Sequence, residues 1–434
     1  MVVLKVLIET KCEILFAFMS DRFHPRMTAL KSGMLLAVLT IAFEKYFKMT
    51  SLASSQNVPL GQRLKSNEEI VGVTIQATLK DSQIEIYPIT TQHHLDIIHR
   101  AIRYFSNVKV SITRLAKPAI QLELQRNSAM IPKNFVKRYF MSDGEPVIER
   151  ADPTQPFCYY TGLVSDPSSS LVSLNLCDGV EGVVELSQQK FMLKSIIKNG
   201  NVWHKLSKLL STKQRSSMKC GTSQDDYRNY TNYYEYTKSR TSRQLQLGAG
   251  FNSSTRYIEL YLVVDQHLYR RAGSIEATTK RALDIVNHVS LLYQKLNIYI
   301  ALVGLEIWSD KNKIGFYRYR QNPSEYDSVK LVDGFSRYRY ETINSHTSND
   351  NAQLLVGVDL DYLVVGRATL GGICTHTVSA GITWDVDEDN YILTASIFTH
   401  ELGHNLGFYH SDNNPYRTCT CRPSCIMQST VGKN

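Results

Sequence analysis

Residues 400–410 read His-Glu-Leu-Gly-His-Asn-Leu-Gly-Phe-Tyr-His, and the fold of the surrounding segment follows from this stretch. The residues before it are apolar enough to continue a helix into the motif, so His400 and His404 project from one face, one turn apart. Two imidazoles placed in this way can chelate one metal ion. Gly407 readily adopts the left-handed conformation that ends a helix. The returning chain then brings His410 to the same point, which predicts a three-histidine metal site.

The ligand set predicts zinc chemistry. Three protein ligands leave a fourth position open, which is typical of a catalytic rather than a structural zinc site. Zinc lowers the pKa of a bound water to about 7, and Glu401 is placed to accept the proton as that water attacks a peptide carbonyl. The alternative, a helix whose histidines bind nothing, is disfavoured because five positions match together. Met427 is the candidate for the methionine turn that follows the long metzincin signature.

Composition limits the class of protein. The chain has 434 residues, which predicts two or three domains, and 43% of them are apolar, which suffices for buried cores. Residues 205–243 carry nine Lys and Arg against three Asp and Glu, so they account for most of the net charge of +9. A basic linker explains this charge. No motif that combines basic and aromatic residues accompanies it, so no nucleic-acid partner is expected.

Residues 1–50 are typical of a leader with a signal segment. The apolar run Met34–Phe43 follows several basic residues, as in a secretory signal. It is too short to span a bilayer comfortably. A buried helix is the alternative interpretation. Seven of the eight cysteines lie from residue 158 onward, a usage that suits an oxidising compartment and agrees with secretion.

Residues 51–210 predict a mostly β domain. Alternating residues within 70–79 and 83–89 favour two strands around a Lys-Asp-Ser turn. Short strands with Gly, Pro and Ser between them continue through 157–186. Cys158 and Cys177 lie in this region and are natural disulfide partners.

Residues 211–254 lose this periodicity and read as a linker. An R-x-x-R sequence at Arg240 and Arg243 is what basic-specific processing proteases cut, although an accidental pair of arginines has the same spacing. Asn229 and Asn252 begin N-x-S/T sequons and are candidate glycosylation sites, although such tripeptides also arise by chance.

Residues 255–434 predict an α/β domain, because strand and helix patterns alternate along them. Apolar residues recur every second position in 257–264, which favours a strand. They recur every third or fourth position from Leu283 to Leu296, which favours an amphipathic helix. The remaining predicted elements are strands at 298–308, 353–358 and 362–370 and a helix at 325–341.

Beyond the metal motif, the chain resembles the ADAM and snake-venom reprolysin family of zinc endopeptidases over roughly residues 70–434. The matching stretches are Phe157–Gly162, Asn175–Gly179, Tyr257–Asp265, Gly304–Trp308, Asn351–Leu355, Gly371–Cys374 and Cys419–Met427. The resemblance implies a propeptide domain at 51–210, followed by a metzincin catalytic domain with a mixed twisted sheet and long helices.

The resemblance also implies a latency device. Cys220, in Met218-Lys-Cys-Gly221, is similar to the family's cysteine switch, in which a thiolate occupies the open zinc position. An ordinary free or disulfide-bonded cysteine is the alternative. Cleavage near Arg243 would then release the propeptide. A substrate peptide would add to an edge strand at about 364–372.

Two departures from the family pattern bear on these expectations. The family has Asp directly after the third histidine, whereas this chain has Ser411 and then Asp412, so the support that this carboxylate gives to the methionine turn is lost or shifted. The chain also stops at Asn434, which implies that the C-terminal part of the catalytic domain and the disintegrin and cysteine-rich domains are missing. Cys421 and Cys425 can pair locally. Cys374 and Cys419 are then expected to lack partners.

The sequence therefore predicts a zinc-dependent endopeptidase zymogen of the secretory pathway that cleaves extracellular or cell-surface proteins. Its expected partners are protein or peptide substrates and an activating protease. A membrane would be reached only through a domain absent from this chain. The alternative is a truncated, catalytically poor member that acts as a binding or decoy protein. The intact histidines and Glu401 favour the enzyme, and the short C-terminus favours the decoy.

Overall fold

The computed structural model describes residues 67–78, 84–101, 105–115, 117–151, 157–164, 170–186, 189–209, 218–222, 255–373, 375–412 and 425–430. Among the helices in these ranges, none is long and apolar enough to cross a lipid bilayer. The leader, the arginine pair and both sequons lie outside the described residues, so they remain predictions.

The N-terminal region is built on an antiparallel sheet that closes on itself. The elements up to residue 208 are β1 (Glu68–Thr78), β2 (Ile84–Pro88), α1 (Gln92–Ala101), β3 (Asn107–Arg114), β4 (Lys117–Arg126), β5 (Val136–Phe140), β6 (Pro146–Arg150), β7 (Tyr159–Val164), β8 (Leu171–Asn175), β9 (Glu181–Leu186), β10 (Gln189–Lys198) and β11 (Asn201–Lys208). The sheet order is β11-β10-β9-β8-β7-β4-β3-β1-β2. β1 also pairs with β11, which closes the sheet around an apolar core.

The C-terminal region is an α/β unit built on a second sheet. Its elements are β12 (Lys219–Cys220), β13 (Arg256–Val264), α2 (Gln266–Ala272), α3 (Ile275–Gln294), β14 (Ile298–Ile307), α4 (Ser328–Tyr338), β15 (Asn351–Val356), β16 (Val364–Ala368), β17 (Ala380–Trp384) and α5 (Tyr391–Asn405). Helix α4 continues through a π-helical turn at Arg339–Ile343 into a short helix at Asn344–His346. Core residues cover both faces of this sheet.

The second sheet includes strands from the N-terminal region. Its order is β12-β16-β17-β15-β13-β14-β5-β6. The central strands run parallel, and β16 pairs with β17 in antiparallel fashion, so the sheet is mixed. Strand β5 adds in parallel to β14, with Val136 opposite Gly304 and Tyr139 opposite Ile307. The β5–β6 hairpin therefore extends the sheet of the C-terminal region at one edge, and β12 extends it at the other.

Most of the predicted elements are present, and the differences have local causes. The mostly β N-terminal region and the α/β C-terminal region are both confirmed. The strand predicted at 362–370 begins only at Val364, because Tyr362 and Leu363 adopt left-handed backbone conformations (φ 51° and 62°). The helix predicted at 325–341 begins later, at Ser328, where the side chain of Asp327 accepts a hydrogen bond from the Lys330 amide. Helix α1 was not predicted. Cys158 and Cys177 form a disulfide.

Phe140 anchors the β5–β6 hairpin to the second sheet. Its ring is 8% exposed and packs in the cluster that contains Trp308. The backbone of Phe140 both donates to and accepts from the hydroxyl of Ser309, at 2.8 and 2.6 Å. The Lys313 ammonium lies 3.5 Å from the ring centroid, close enough for a cation–π interaction.

Replacing Phe140 should therefore destabilise the protein. We expect Phe140→Ala to lower the free energy of unfolding by about 3 kcal/mol or more, as for other buried aromatic truncations, measured by urea denaturation. Ile148→Ala on the same hairpin is the control, because Ile148 is 55% exposed; its effect should stay within about 0.5 kcal/mol. Equal effects of the two substitutions would show that the hairpin does not pack as described.

Candidate metal centre

Helix α5 carries the metal motif, and both of its ends are capped. At the start, the side chain of Asn390 accepts a hydrogen bond from the Ile392 amide at 2.9 Å. At the end, Gly407 has φ 93° and donates to the His404 carbonyl at 2.8 Å, and the Phe408 amide donates to the Gly403 carbonyl at 2.9 Å. This pair of bonds is a Schellman cap. It turns the chain so that His410 returns to the helix face.

The three predicted histidines converge through one ring atom each. The Nε2 atoms of His400 and His404 are 2.9 Å apart, and the Nε2 atom of His410 lies 3.2 and 3.1 Å from them. The Nδ1 atoms of His400 and His404 lie 2.7 Å from the carbonyls of Ile426 and Phe408. A carbonyl only accepts, so each of these Nδ1 atoms carries the hydrogen and each paired Nε2 presents a lone pair.

This arrangement fits a cation. Lone pairs this close repel each other unless a positive ion lies between them. Zinc bound by imidazole at about 2.0–2.1 Å in tetrahedral geometry spaces its nitrogens about 3.3 Å apart, close to the distances found. Burial lowers the pKa of His400 to about 4 and of His404 to about 3, and burial also lowers the pKa of His410. All three rings are therefore neutral near pH 7 and able to bind a metal.

Cys220 completes the cluster from a distant part of the sequence. Its Sγ lies 3.4 Å from Nε2 of His404, and one ligand atom from each of the four residues falls within 4.8 Å of the others. Cys220 is a free thiol. Burial raises its pKa well above the usual range, and nearby Glu401 acts in the same direction. A bound zinc ion would oppose both effects by favouring the thiolate.

Backbone contacts hold this cysteine in the cleft. Strand β12 pairs in parallel with β16, with Lys219 opposite Val364 and Cys220 opposite Gly366. The Cys220 amide donates to the Ser429 carbonyl at 3.0 Å, so the segment is held from both sides. The hydroxyl of Thr222 bonds the backbone of Ala368. The edge strand predicted to receive substrate is thus occupied by residues 219–222.

Glu401 lies beside the three imidazoles and is fully buried. Among the described residues, no group meets strict hydrogen-bond geometry to either carboxylate oxygen. The Cys220 thiol, Arg367 and Thr222 nevertheless lie close enough to lower its pKa, but burial has the larger effect and raises the pKa to about 8. A buried carboxylate whose hydrogen bonds are this poor has a high affinity for a proton or a nearby cation.

Comparison with known proteins agrees with this geometry. Residues 256–434 match the model of the Reprolysin (M12B) family zinc metalloprotease. The chain belongs to the reprolysin family. The resemblance found in the sequence is therefore confirmed.

Two curated relatives from Naja atra are similar to this reprolysin chain. They are the zinc metalloproteinase-disintegrin-like atrase-B and the zinc metalloproteinase-disintegrin-like kaouthiagin-like protein. Each is 30% identical over 312 residues, which are 71% of this chain and 50% of the relative. The chain spans about half the length of these relatives.

The predicted methionine turn of this reprolysin lies against α5. A Cβ added to Gly403 would meet Met427 Sδ at 2.7 Å, so the methionine packs directly against the helix turn that carries His400 and His404. The Ser411 amide donates to the Met427 carbonyl at 2.7 Å. The carboxylate of Asp412 accepts from the Ser429 amide at 3.0 Å and from its hydroxyl. The carboxylate contact is therefore shifted by one residue rather than lost.

Three contributors to the site were not predicted from the sequence. Gly366 leaves the space that the Glu401 side chain occupies, because a Cβ there would lie 2.6 Å from Oε1. Asn405 donates to the carbonyls of Thr369 and Ala380 at 2.9 and 3.0 Å, which ties the end of α5 to the edge of the sheet. Thr222 holds the segment around Cys220 through the hydrogen bonds between its hydroxyl and the Ala368 backbone. The Asn that follows HELGH is the only one of the three with a local signal.

The remaining predicted site residues are cysteines and the two arginines of the processing sequence, and most of them lie outside the described residues. Cys425 is disulfide-bonded. Its pairing with Cys421 stays a prediction. Cys374 and Cys419 lie outside the described residues, as do Arg240 and Arg243.

The contact between Gly366 and Glu401 gives a testable consequence. We expect Gly366→Ala to lower the free energy of unfolding by about 1–3 kcal/mol, the usual effect of overpacking, because the new methyl group displaces a fully buried side chain. Gly334→Ala, within helix α4, is the control. The new Cβ atom would have Ile314 Cδ1 as its nearest neighbour, at 3.9 Å. This control should be neutral or stabilising by up to about 1 kcal/mol. Chemical denaturation measures both, and a neutral Gly366→Ala would contradict the described packing.

Proposed function

We propose that this chain is the zymogen of a zinc-dependent endopeptidase that hydrolyses peptide bonds of extracellular or cell-surface proteins. The observation that carries the proposal is the convergence of three imidazole Nε2 atoms within 3.2 Å of one another, beside the buried carboxylate of Glu401. Membership of the reprolysin family supports the same reaction class.

In this proposal, His400, His404 and His410 hold the zinc ion. When bound, the ion polarises the scissile carbonyl and lowers the pKa of the attacking water. Glu401 accepts the proton from that water and returns it to the leaving amine. Burial by itself raises the pKa of Glu401 and favours its protonated form, whereas the positive charge of a bound ion would lower that pKa and favour the carboxylate that accepts the proton. Gly366 leaves the space that keeps the side chain in position. The carbonyls of Ile426 and Phe408 keep the imidazoles in the tautomer that binds metal.

Substrate binding is proposed at strand β16. This strand pairs with β17 on one side, and within the described part of the chain its other side pairs with the short β12. When β12 leaves, backbone donors and acceptors from Val364 to Ala368 become free to pair with an extended peptide. Main-chain pairing supplies affinity without strong demands on the substrate sequence.

Latency is proposed to rest on Cys220. Its thiol lies among the three imidazole nitrogens and so takes the place that the attacking water needs. Cutting at Arg240 and Arg243 by a processing protease would free residues 219–222 from the cleft. Secretion is supported by the Cys158–Cys177 disulfide, which persists in oxidising compartments.

Glu401→Gln tests the proposed general base. The test uses protein in which the chain has been cleaved at a bond between residues 223 and 254. In this cleaved protein, we expect the substitution to lower kcat/KM on a generic protein substrate by about 10²-fold or more, with zinc content unchanged. Glu388→Gln is the control, since the Glu388 side chain is 72% exposed and its ion pair with Arg271 is long, at 3.6 Å. A zinc chelator should stop the wild-type reaction. An unchanged rate in Glu401→Gln would refute the mechanism, and zinc binding without any cleavage would favour a binding or decoy protein.

Cys220→Ser tests the proposed latency. The uncut variant should be at least about tenfold more active than the uncut wild type, because a serine hydroxyl would bind the metal more weakly than the thiolate does. A tenfold change in rate corresponds to a difference of about 1.4 kcal/mol in free energy. Thr222→Ser is the matched control, because it keeps the hydroxyl that bonds Ala368. If uncut Cys220→Ser stays as inactive as the wild type, the thiol is not the inhibitory group.

A further inference from the structure

We propose that the ring of Tyr362 is a subsite for a basic side chain, Lys or Arg, of the peptide that lies along strand β16, and that Lys219 occupies this subsite in the uncut chain. The part that concerns substrates rests on the proposed peptidase function. The part that concerns Lys219 does not.

The position of Lys219 shows where a side chain of the bound segment falls. Its backbone pairs with Val364 of β16 on one side and bridges to Thr430 on the other, so its place in the cleft is set by the main chain. Its ammonium lies 5.7 Å from the centroid of the Tyr362 ring. This is within the roughly 6 Å over which a cation is attracted to an aromatic face. The next residue, Cys220, is the one at the metal centre.

An unusual backbone presents the Tyr362 ring to the cleft. Tyr362 and Leu363 both have left-handed conformations, which residues with a Cβ adopt rarely and at a cost. The Tyr362 amide donates to the carboxylate of Glu325 at 3.0 Å, which holds the turn. The turn ends directly at Val364, the first residue of β16, and Tyr362 stays 51% exposed.

Neighbouring groups fix the orientation of the ring. The ring of Tyr319 meets it at an interplanar angle of 67°, with the centroids 4.9 Å apart. The Tyr362 hydroxyl donates to the side-chain oxygen of Gln321. One face of Tyr362 is thus braced from the 319–321 segment, and Lys219 lies over the ring. A pre-oriented ring loses little freedom when a cation binds to it.

The nearest charged contact of the turn favours a cation. The Glu325 carboxylate accepts from the Tyr362 amide, so a negative charge lies beside the ring. A carboxylate side chain at the same place would meet the negative face of the ring.

Alkylation of Cys220 in the uncut, zinc-loaded chain tests the contact without any proteolysis. Cys220 modification is followed by peptide mass spectrometry. Lys219→Met and Tyr362→Ala should each raise the alkylation rate by about two- to fivefold, the effect of one exposed cation–π contact on opening of the segment. The double variant should be no faster than either single one, because the same contact is lost. Tyr362→Phe keeps the ring and should behave as wild type. Tyr257→Ala is the control, since it removes a comparably exposed ring from the start of β13.

Additive effects in the double variant, or unchanged rates in both single variants, would overturn the contact between Lys219 and Tyr362.

The substrate subsite is tested by peptide cleavage, with protein whose chain has been cleaved at a bond between residues 223 and 254 as the enzyme. Matched peptides carry lysine or uncharged norleucine, scanned through the positions on either side of the scissile bond. At one position, kcat/KM should be about two- to fivefold higher for lysine. This preference should vanish in Tyr362→Ala and persist in Tyr257→Ala. Equal cleavage of the two peptide sets at every position would overturn the subsite. Failure to cleave any peptide would instead overturn the proposed peptidase function and, with it, the substrate part.

Discussion

The site depends on the convergence of three neutral imidazoles whose lone pairs point at one another. Without a cation, Nε2 atoms about 3 Å apart repel, so the surrounding structure has to hold them there. The carbonyls of Ile426 and Phe408 do so by accepting the Nδ1 hydrogens of His400 and His404. Both carbonyls belong to the chain that follows the helix. The segment around Ile426 is therefore part of the candidate metal centre rather than a neighbour of it.

The sheet behind this centre is covered at both edges by chain from the N-terminal region. The β5–β6 hairpin extends it beside β14, and β12 closes the cleft beside β16. Between these edges, helix α3 meets the N-terminal sheet through buried polar and apolar side chains. Asn175 bonds Asp284 at 2.5 Å, Ser173 bonds His288 at 2.9 Å, and Lys280 pairs with Glu181 at 2.7 Å. Met130, Tyr159, Val183 and Met192 of the N-terminal region lie in the same core cluster as α3.

Local patterns account for much of the fold. The strands β13 and β14, the long helix α3 and the end of α5 near Gly407 follow from periodicity and from a residue suited to positive φ. The start of β16 differs from the sequence prediction because contacts between distant segments outweigh the local pattern there. Tyr362 and Leu363 look like strand residues by propensity, but contacts to Glu325 and Tyr319 hold them in a turn. The β5–β6 hairpin could not be assigned to its sheet, since its partner strand β14 lies far along the chain.

The sequence by itself determined which residues form the candidate metal centre. Helical spacing and one glycine specify which histidines can share a metal and place Glu401 beside them, because these are short-range consequences of backbone geometry. Only the tertiary structure decided what surrounds them. It brings Cys220 to within 3.4 Å of His404, places Gly366 against Glu401 and gives Asp412 the partner Ser429. These contacts join segments far apart in the chain, and no local pattern encodes which backbone a buried side chain will meet.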